Sequence, residues 1–190
     1  MILHLIRHGR TIANENRLYC GVTDIPVSDK GLTELVTLKN NEDVEYPANA
    51  DLYVVSGLLR TVMTAEVLFG HSDCKVMEEL REFDFGEFEM CTHDELVDQK
   101  AYQDWISDLD TVCVPNGESK QDFICRVVTG VQKIETLGVS NVVLITHGGV
   151  IATIMDFYFP GNKNFYEWQP DCGRGYTIQI EDENRFYQKI

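Results

Sequence analysis

The chain has no apolar run long enough to form a membrane-spanning helix. It is short of positive charge: 16 Lys and Arg stand against 31 Asp and Glu, for a net charge of −15. That balance argues against a nucleic-acid partner, whose binding needs a basic face. C-x-x-C pairs are missing, and no histidine stands at metal-ligand spacing from any cysteine, so no metal site is expected. The six cysteines, Cys20, Cys74, Cys91, Cys113, Cys125 and Cys172, are scattered. The amino terminus lacks the basic-then-apolar order of a signal peptide, since Met1 runs straight into a strand-like segment. Reduced thiols and a cytoplasmic location are therefore expected, with no membrane partner. Repeats, low-complexity tracts and linkers are also lacking, which leaves residues 1–190 as a single domain. What is present is ordinary for a soluble protein: 44% hydrophobic and 25% charged residues.

One stretch stands out. Residues 2–14 read I-L-H-L-I-R-H-G-R-T-I-A-N. Ile2, Leu3, Leu5 and Ile6 suit a central parallel strand buried on both faces. Charge arrives only at Arg7 and His8, at the carboxyl end of that strand, where open α/β sheets bind ligands. Gly9 lets the backbone turn and approach a ligand closely. Thr11 or Asn14 can cap or line the segment after that turn. Chemically, a neutral His8 could attack phosphorus while Arg7 holds phosphate oxygens in its planar fork. Taken alone, R-H-G is a weak signal, and a strand ending in solvated polar residues is the plainer interpretation.

Further strands are expected at Leu52–Val55, Lys75–Met77, Asn141–Thr146, Tyr176–Ile180 and Arg185–Gln188, the last two forming a hairpin around Asp182-Glu183-Asn184. Helices are expected from Asp29 to about Lys39 behind a Ser28 cap, and from Leu58 to Phe69 with Gly70 closing it. Others are expected over Thr92–Ile106 with Tyr102 and Trp105 inward, over about Glu118–Leu137, and from Val150 to about Tyr158. The helix over 58–69 should bury Leu59, Val62, Met63 and Val67. Residues 40–50 and 160–174 read as loop. The order of elements gives an α/β fold with a mainly parallel central sheet and antiparallel strands at its margin.

The fourth strand ends in His147-Gly148-Gly149 and repeats the opening device of strand, histidine, glycine and helix. Side by side, the two strand ends would bring His8 and His147 to one sheet edge, with the Gly148 and Gly149 amides at a helix amino terminus suited to an anion. Arg60 lies in the first turn of its helix, where the dipole disfavours a cation, so a bound anion is one explanation and a solvated surface arginine another. The segment from Glu78 to Asp98 is acidic with Phe83, Phe85 and Phe88 interleaved. Most of those acids suit a solvated face. Glu82 or Glu87 could sit among the phenylalanines as a general acid. His4 suits a hydrogen-bonded sheet position, His71 a helix carboxyl terminus, and His93 the surface.

These motifs resemble the histidine phosphatase superfamily, also called phosphoglycerate mutase-like. The resemblance covers most of the chain: R-H-G at 7–9 with Thr11 and Asn14, then Arg17, Gly21, Thr23, Asp24, Pro26, Ser28 and Gly31. It continues through S-G-L-L-R-T at 56–61, L-R-E at 80–82 with Gly86, P-N-G-E-S at 115–119 and T-H-G-G at 146–149. It implies a three-layer α/β/α sandwich. It implies His8 as nucleophile forming a phosphohistidine, Arg7, Arg60 and His147 around the phosphate, and Glu82 as general acid. It places Asn14, Thr23 and Gly148 at a small-molecule phosphate ester, and it implies neither cofactor nor metal. Two guanidinium groups should depress the His8 pKa, and His147 should take a proton when a phosphate dianion binds.

Within that family, R-H-G-R-T and T-H-G-G-V-I resemble the phosphatase branch, similar to alpha-ribazole phosphatases. The mutase branch has R-H-G-E-S-x-W-N, H-G-N and a basic insertion where this chain is acidic. A phosphoglycerate mutase and an inactive phosphate-binding scaffold are the alternatives. Met90 stands in G-E-F-E-M at 86–90, where relatives often carry glycine. A homodimer is one option for the oligomeric state, which the sequence leaves open.

Overall fold

A computed structural model describes residues 1–70, 73–181 and 184–190. The apolar runs lie in the middle of a six-stranded sheet. Strands β1 (Ile2–Arg7), β2 (Leu52–Val55), β3 (Lys75–Val76), β4 (Asn141–Thr146), β5 (Gly175–Glu181) and β6 (Asn184–Lys189) take the order β3-β2-β4-β1-β5-β6. β1, β2, β3 and β4 pair in parallel, and β5 and β6 add antiparallel pairings at one edge. The fold is thus α/β with antiparallel strands at the margin. β4 sits between β1 and β2 with a packed layer on each face, and five of its six residues are buried, as its N-V-V-L-I-T sequence requires.

Two apolar layers flank the sheet. On one face Leu3, Leu5, Val54, Val142 and Leu144 pack against α6 (Lys120–Glu135) and α7 (Gly148–Tyr158) through Phe123, Val127, Val131, Ile151 and Met155. On the other, Ile6, Tyr53, Val55, Val143 and Ile145 meet α2 (Asp29–Lys39) and α3 (Leu59–Phe69) through Leu35, Ala65 and Leu68. Alternate residues of each strand feed opposite layers, which is the period-two rule of a pleated strand. A third cluster, Phe88, Leu96, Tyr102, Trp105 and Val114, forms a cap together with Tyr19, Phe83 and Phe85.

Several expectations shift. The helix expected at 92–106 is two, α4 (His93–Leu96) and α5 (Lys100–Ser107), with α4 started by a Thr92–Glu95 capping box. α6 begins behind Ser119, whose side chain accepts from the Asp122 amide, and ends at Glu135. α7 begins at Gly148, so both glycines of H-G-G lie in its first turn. A short 3₁₀ turn, Phe165–Trp168, interrupts the loop expected at 160–174. α3 presents a different face from the one its apolar spacing suggested: Leu59 is exposed, Val62, Met63 and Val67 are only partly buried, and Arg60, Thr61 and Thr64 are buried beside Ala65 and Leu68. Apolar periodicity marks the face that meets oil, and here the helix also turns a polar stripe toward the site. Ser28 and Gly70 cap α2 and α3 as expected, the latter in the left-handed conformation. The hairpin turn at Asp182 and Glu183, and His71, lie outside the described residues. No helix among the described residues is long and apolar enough to cross a membrane.

Candidate active site

The β1–β4 register pairs Arg7 with Thr146, so the two strands end level. The His8 amide continues the ladder to the Thr146 carbonyl at 2.9 Å. His8 and His147 therefore emerge side by side, ring centroids 5.1 Å apart and planes at 62°. Both are buried, at 6% and 0% exposure, although each is the polar end of its strand.

Their hydrogen bonds differ. His8 Nδ1 lies 2.8 Å from the Gly9 carbonyl, which can only accept. The proton is thereby fixed on Nδ1, and Nε2 carries the lone pair. His147 Nε2 lies 2.8 Å from Ser56 Oγ, and its Nδ1 is buried without a partner. Burial is the main reason the His8 pKa falls well below 6.5, with Arg60 and then Arg7 adding to it. The arginines thus come second to desolvation. The His147 pKa is also well below 6.5, by burial first and then by His8, Arg60 and Arg7, so both rings are neutral in the free protein near pH 7.

Arg7 donates to the Pro170 carbonyl at 2.8 Å, and its guanidinium lies against Gly148. A Cβ at position 148 would stand 3.1 Å from Arg7 Cζ, and one at 149 would collide with Glu82 Oε1. The paired glycines are what allow a cation and a carboxylate to reach the start of α7 together. Glu82 Oε2 accepts from the Gly149 amide at 2.9 Å and Oε1 from the Phe83 amide at 3.0 Å. The helix terminus is therefore partly taken: of the two amides expected to bind an anion, that of Gly149 serves Glu82. Glu87, the other candidate acid, is exposed and accepts from Asn116 Nδ2 at 2.6 Å.

Arg60 is 1% exposed, so it is no surface arginine. Its terminal nitrogens donate to the carbonyls of Thr23 (2.9 Å) and Gly21 (2.5 Å), and its Nε is buried and unpartnered. The same loop is gripped from the other side by Glu89, whose carboxylate accepts from the amides of Gly21, Val22 and Thr23, from Thr23 Oγ1, and from the Phe85 amide. The amides of residues 21–23 thus face a carboxylate, while the carbonyls of Gly21 and Thr23 face a guanidinium. Asp24 adds a cap by accepting from the Leu59 amide at 2.7 Å, which offsets the cation in the first turn of α3. Thr23, expected at the substrate, has its hydroxyl proton directed to Glu89 and its carbonyl to Arg60. Asn14 uses its Oδ1 in a capping box with Thr11, accepting from the Thr11 amide and hydroxyl.

The structure thus gathers His8, His147, Arg7, Arg60 and Glu82 at one sheet edge. Two contributors are not legible in the sequence. Ser56 reads there only as a strand breaker, and Glu89 as one of the solvated acids. The signal for Glu89 is its place in G-E-F-E-M beside the aromatic run, but the loop it holds is 66 to 68 residues away in sequence. His4 occupies its sheet position with bonds to Thr177 and Asn141, and His93 is exposed and bonded to Tyr102. An open cavity of ≈ 520 Å³ lined by Asp43, Gln169, Arg174 and Lys189 contains none of the gathered residues. No cluster of three or more His, Cys, Asp or Glu among the described residues could hold a metal ion.

Comparison with known proteins identifies the family and the fold. Residues 3–187 match the family described as Histidine phosphatase superfamily (branch 1). The chain is 31% identical over 160 residues to an adenosylcobalamin/alpha-ribazole phosphatase of Salmonella typhimurium, covering 82% of this chain and 78% of the relative. The crystal structure of the alpha-ribazole phosphatase from Shigella flexneri superposes with a TM-score of 0.87 at 27% identity, over 99% of this chain and 95% of that one. A 2,3-bisphosphoglycerate-dependent phosphoglycerate mutase of Chlamydia felis is 37% identical over only 73 residues, 38% of this chain and 31% of that protein.

Proposed function

The chain belongs to the histidine phosphatase superfamily, and from that premise we propose that it is a phosphatase, a metal-independent phosphomonoesterase acting on a small phosphorylated metabolite through His8. One observation carries the proposal. Of four buried side-chain polar atoms without a hydrogen-bond partner among the described residues, three are Arg7 Nε, Arg60 Nε and His147 Nδ1. Buried polar atoms are nearly always satisfied, and the His147 nitrogen joins the two guanidinium donors once its ring is protonated. Three orphans on residues that gather around one imidazole suit an anion with several oxygens, which a phosphate ester supplies.

In this mechanism His8 Nε2 attacks phosphorus in line with the departing oxygen. The P–O bond to the alcohol breaks as the P–N bond forms, and Glu82 gives its proton to the leaving oxygen. Glu82 then takes a proton from water, which attacks the phosphohistidine and returns the electron pair to Nε2. Arg7, Arg60 and His147 hold the equatorial oxygens, where charge spreads in the transition state, and His147 takes a proton as the dianion enters. Asn14 can direct its Nδ2 to the ester, because its Oδ1 is committed to Thr11, and Gly148 admits the Arg7 guanidinium. Thr23 serves by holding Arg60. No cofactor, nucleic acid or membrane takes part.

Water is the favoured acceptor over a second phosphate ester. The cap carries Asp84, Glu87, Glu89, Asp94 and Glu95, and an anionic substrate body would meet that charge. The test is phosphate release from a panel of esters, with alpha-ribazole phosphate and p-nitrophenyl phosphate included, in the presence of EDTA. Turnover is expected to persist. Loss of turnover restored by Mg²⁺ would overturn metal independence. Interconversion of phosphoglycerates with a bisphosphoglycerate primer, without phosphate release, would put the mutase reaction first.

A further inference from the structure

Glu82 has no helix or strand of its own. It follows the single 3₁₀ turn Glu78–Leu80, and its neighbours 81–85 are irregular. Something else must fix its backbone if its carboxyl is to meet a leaving group to within a few tenths of an ångström. The contacts behind it come from α6. Arg126 Nη1 donates to the carbonyls of Glu79 (3.0 Å) and Arg81 (2.6 Å), and Nη2 to the carbonyl of Glu82 itself (2.8 Å). One guanidinium thus satisfies three carbonyls of the acid-bearing segment. The same fork pairs with Glu118 through Nε (2.9 Å) and Nη2 (2.5 Å), and Glu118 Oε1 accepts from the Asp84 amide at 2.8 Å. Carbonyls up to residue 82 face the cation, and the amide of residue 84 faces the anion. The pair is only 25% and 15% exposed, and the guanidinium stacks 4.9 Å from the Phe123 ring, so it is well shielded from water and held in place.

We propose that the Arg126–Glu118 pair is the positioning device for Glu82, setting the efficiency of proton transfer to the leaving group without touching the substrate. Arginine is required because a planar fork with five donors serves three carbonyls and a carboxylate at once, whereas an ammonium has three donors at one point. The inference rests on Glu82 acting as general acid, as proposed above.

The test separates leaving groups. An alkyl phosphate needs a proton on its departing oxygen, and p-nitrophenyl phosphate needs little help. In Arg126→Lys, kcat/KM for glycerol phosphate is expected to fall about 10- to 100-fold, and that for p-nitrophenyl phosphate by less than about threefold. The double variant Arg126→Met/Glu118→Gln, which leaves no single buried charge behind, should show the same selectivity. Circular dichroism and thermal midpoints would establish that both are folded. A merely structural role would lower both substrates alike, and that result, or no loss on either, would overturn the proposal. Glu82→Gln run in parallel tells the two failures apart. If it too lacks leaving-group selectivity, Glu82 is not the acid and both proposals fall. If it has the selectivity and the Arg126 variants do not, only the positioning role falls.

Discussion

His8 and His147 occupy the same place in the same device, a buried parallel strand ending in histidine and glycine, and they leave it chemically unlike. His8 spends Nδ1 on the carbonyl of its own neighbour Gly9 and keeps a free Nε2. His147 spends Nε2 on Ser56, which comes directly after β2, and keeps a buried Nδ1. One ring thus presents a lone pair, as the proposed attack requires, and the other a buried nitrogen still open to a partner. Which nitrogen is free depends on the one hydrogen bond described for each ring, and that bond is local for His8 and 91 residues away for His147.

Phosphoryl labelling tests this contrast most severely. His8→Ala is expected to reduce turnover to background and to abolish acid-labile ³²P on the protein. His147→Ala should still take up label, with turnover reduced on the order of 10²–10³-fold, the usual loss for one electrostatic donor. Labelling of the first variant and not the second would reverse the roles.

Acid stability tests what the two rings share. Each has a folded-state pKa well below 6.5, so below that pH the unfolded chain binds protons that the folded protein refuses. Their contribution is complete above pH 6.5 and is lost as pH falls toward the folded values, at about 1.4 kcal/mol per pH unit for each ring. Urea midpoints from pH 7 to pH 5 should therefore decline less steeply in His8→Gln than in the parent. An unchanged slope would mean that His8 is readily protonated in the folded state.

The smallest effect leaves both strand ends alone. Met90 has φ of 59°, in the left-handed region, and its amide donates to the Tyr19 carbonyl at 2.7 Å. It lies in the cap, between Phe88 and the Thr92 cap of α4. Met90→Gly should relieve the backbone and stabilise the protein by up to about 1 kcal/mol, a rise of about 2–4 °C in Tm. Phosphorylation of His8 should be unchanged. A fall in Tm would mean that the methionine side chain contributes more than its backbone strain costs.

The negative net charge poses a difficulty for a site that takes phosphate. Part of the answer is that Glu82 and Glu89 are committed to backbone amides, while Arg7 and Arg60 retain unused donors in the interior. The global field still slows anion encounter, but an anion beside His8 meets the nearer guanidinium groups in a low-dielectric setting.

Local chemistry alone determined that apolar runs of strand length would end in Arg7-His8-Gly9 and His147-Gly148-Gly149, that helices would start at Ser28 or stop at Gly70, and that an α/β sheet would gather them. Those features depend on side-chain period and on turn and cap residues, all within a few positions. Tertiary structure decided the rest: the level β1–β4 register, the polar face of α3, the free nitrogen on His147, and the bonds from Glu89 to the loop at 21–23 and from Arg126 to the segment at 79–82. The physical reason for the last two is that they are side-chain bonds to backbone groups tens of residues away. Every residue carries the same amide and carbonyl, so nothing in the order of amino acids marks which of them a distant carboxylate or guanidinium will meet.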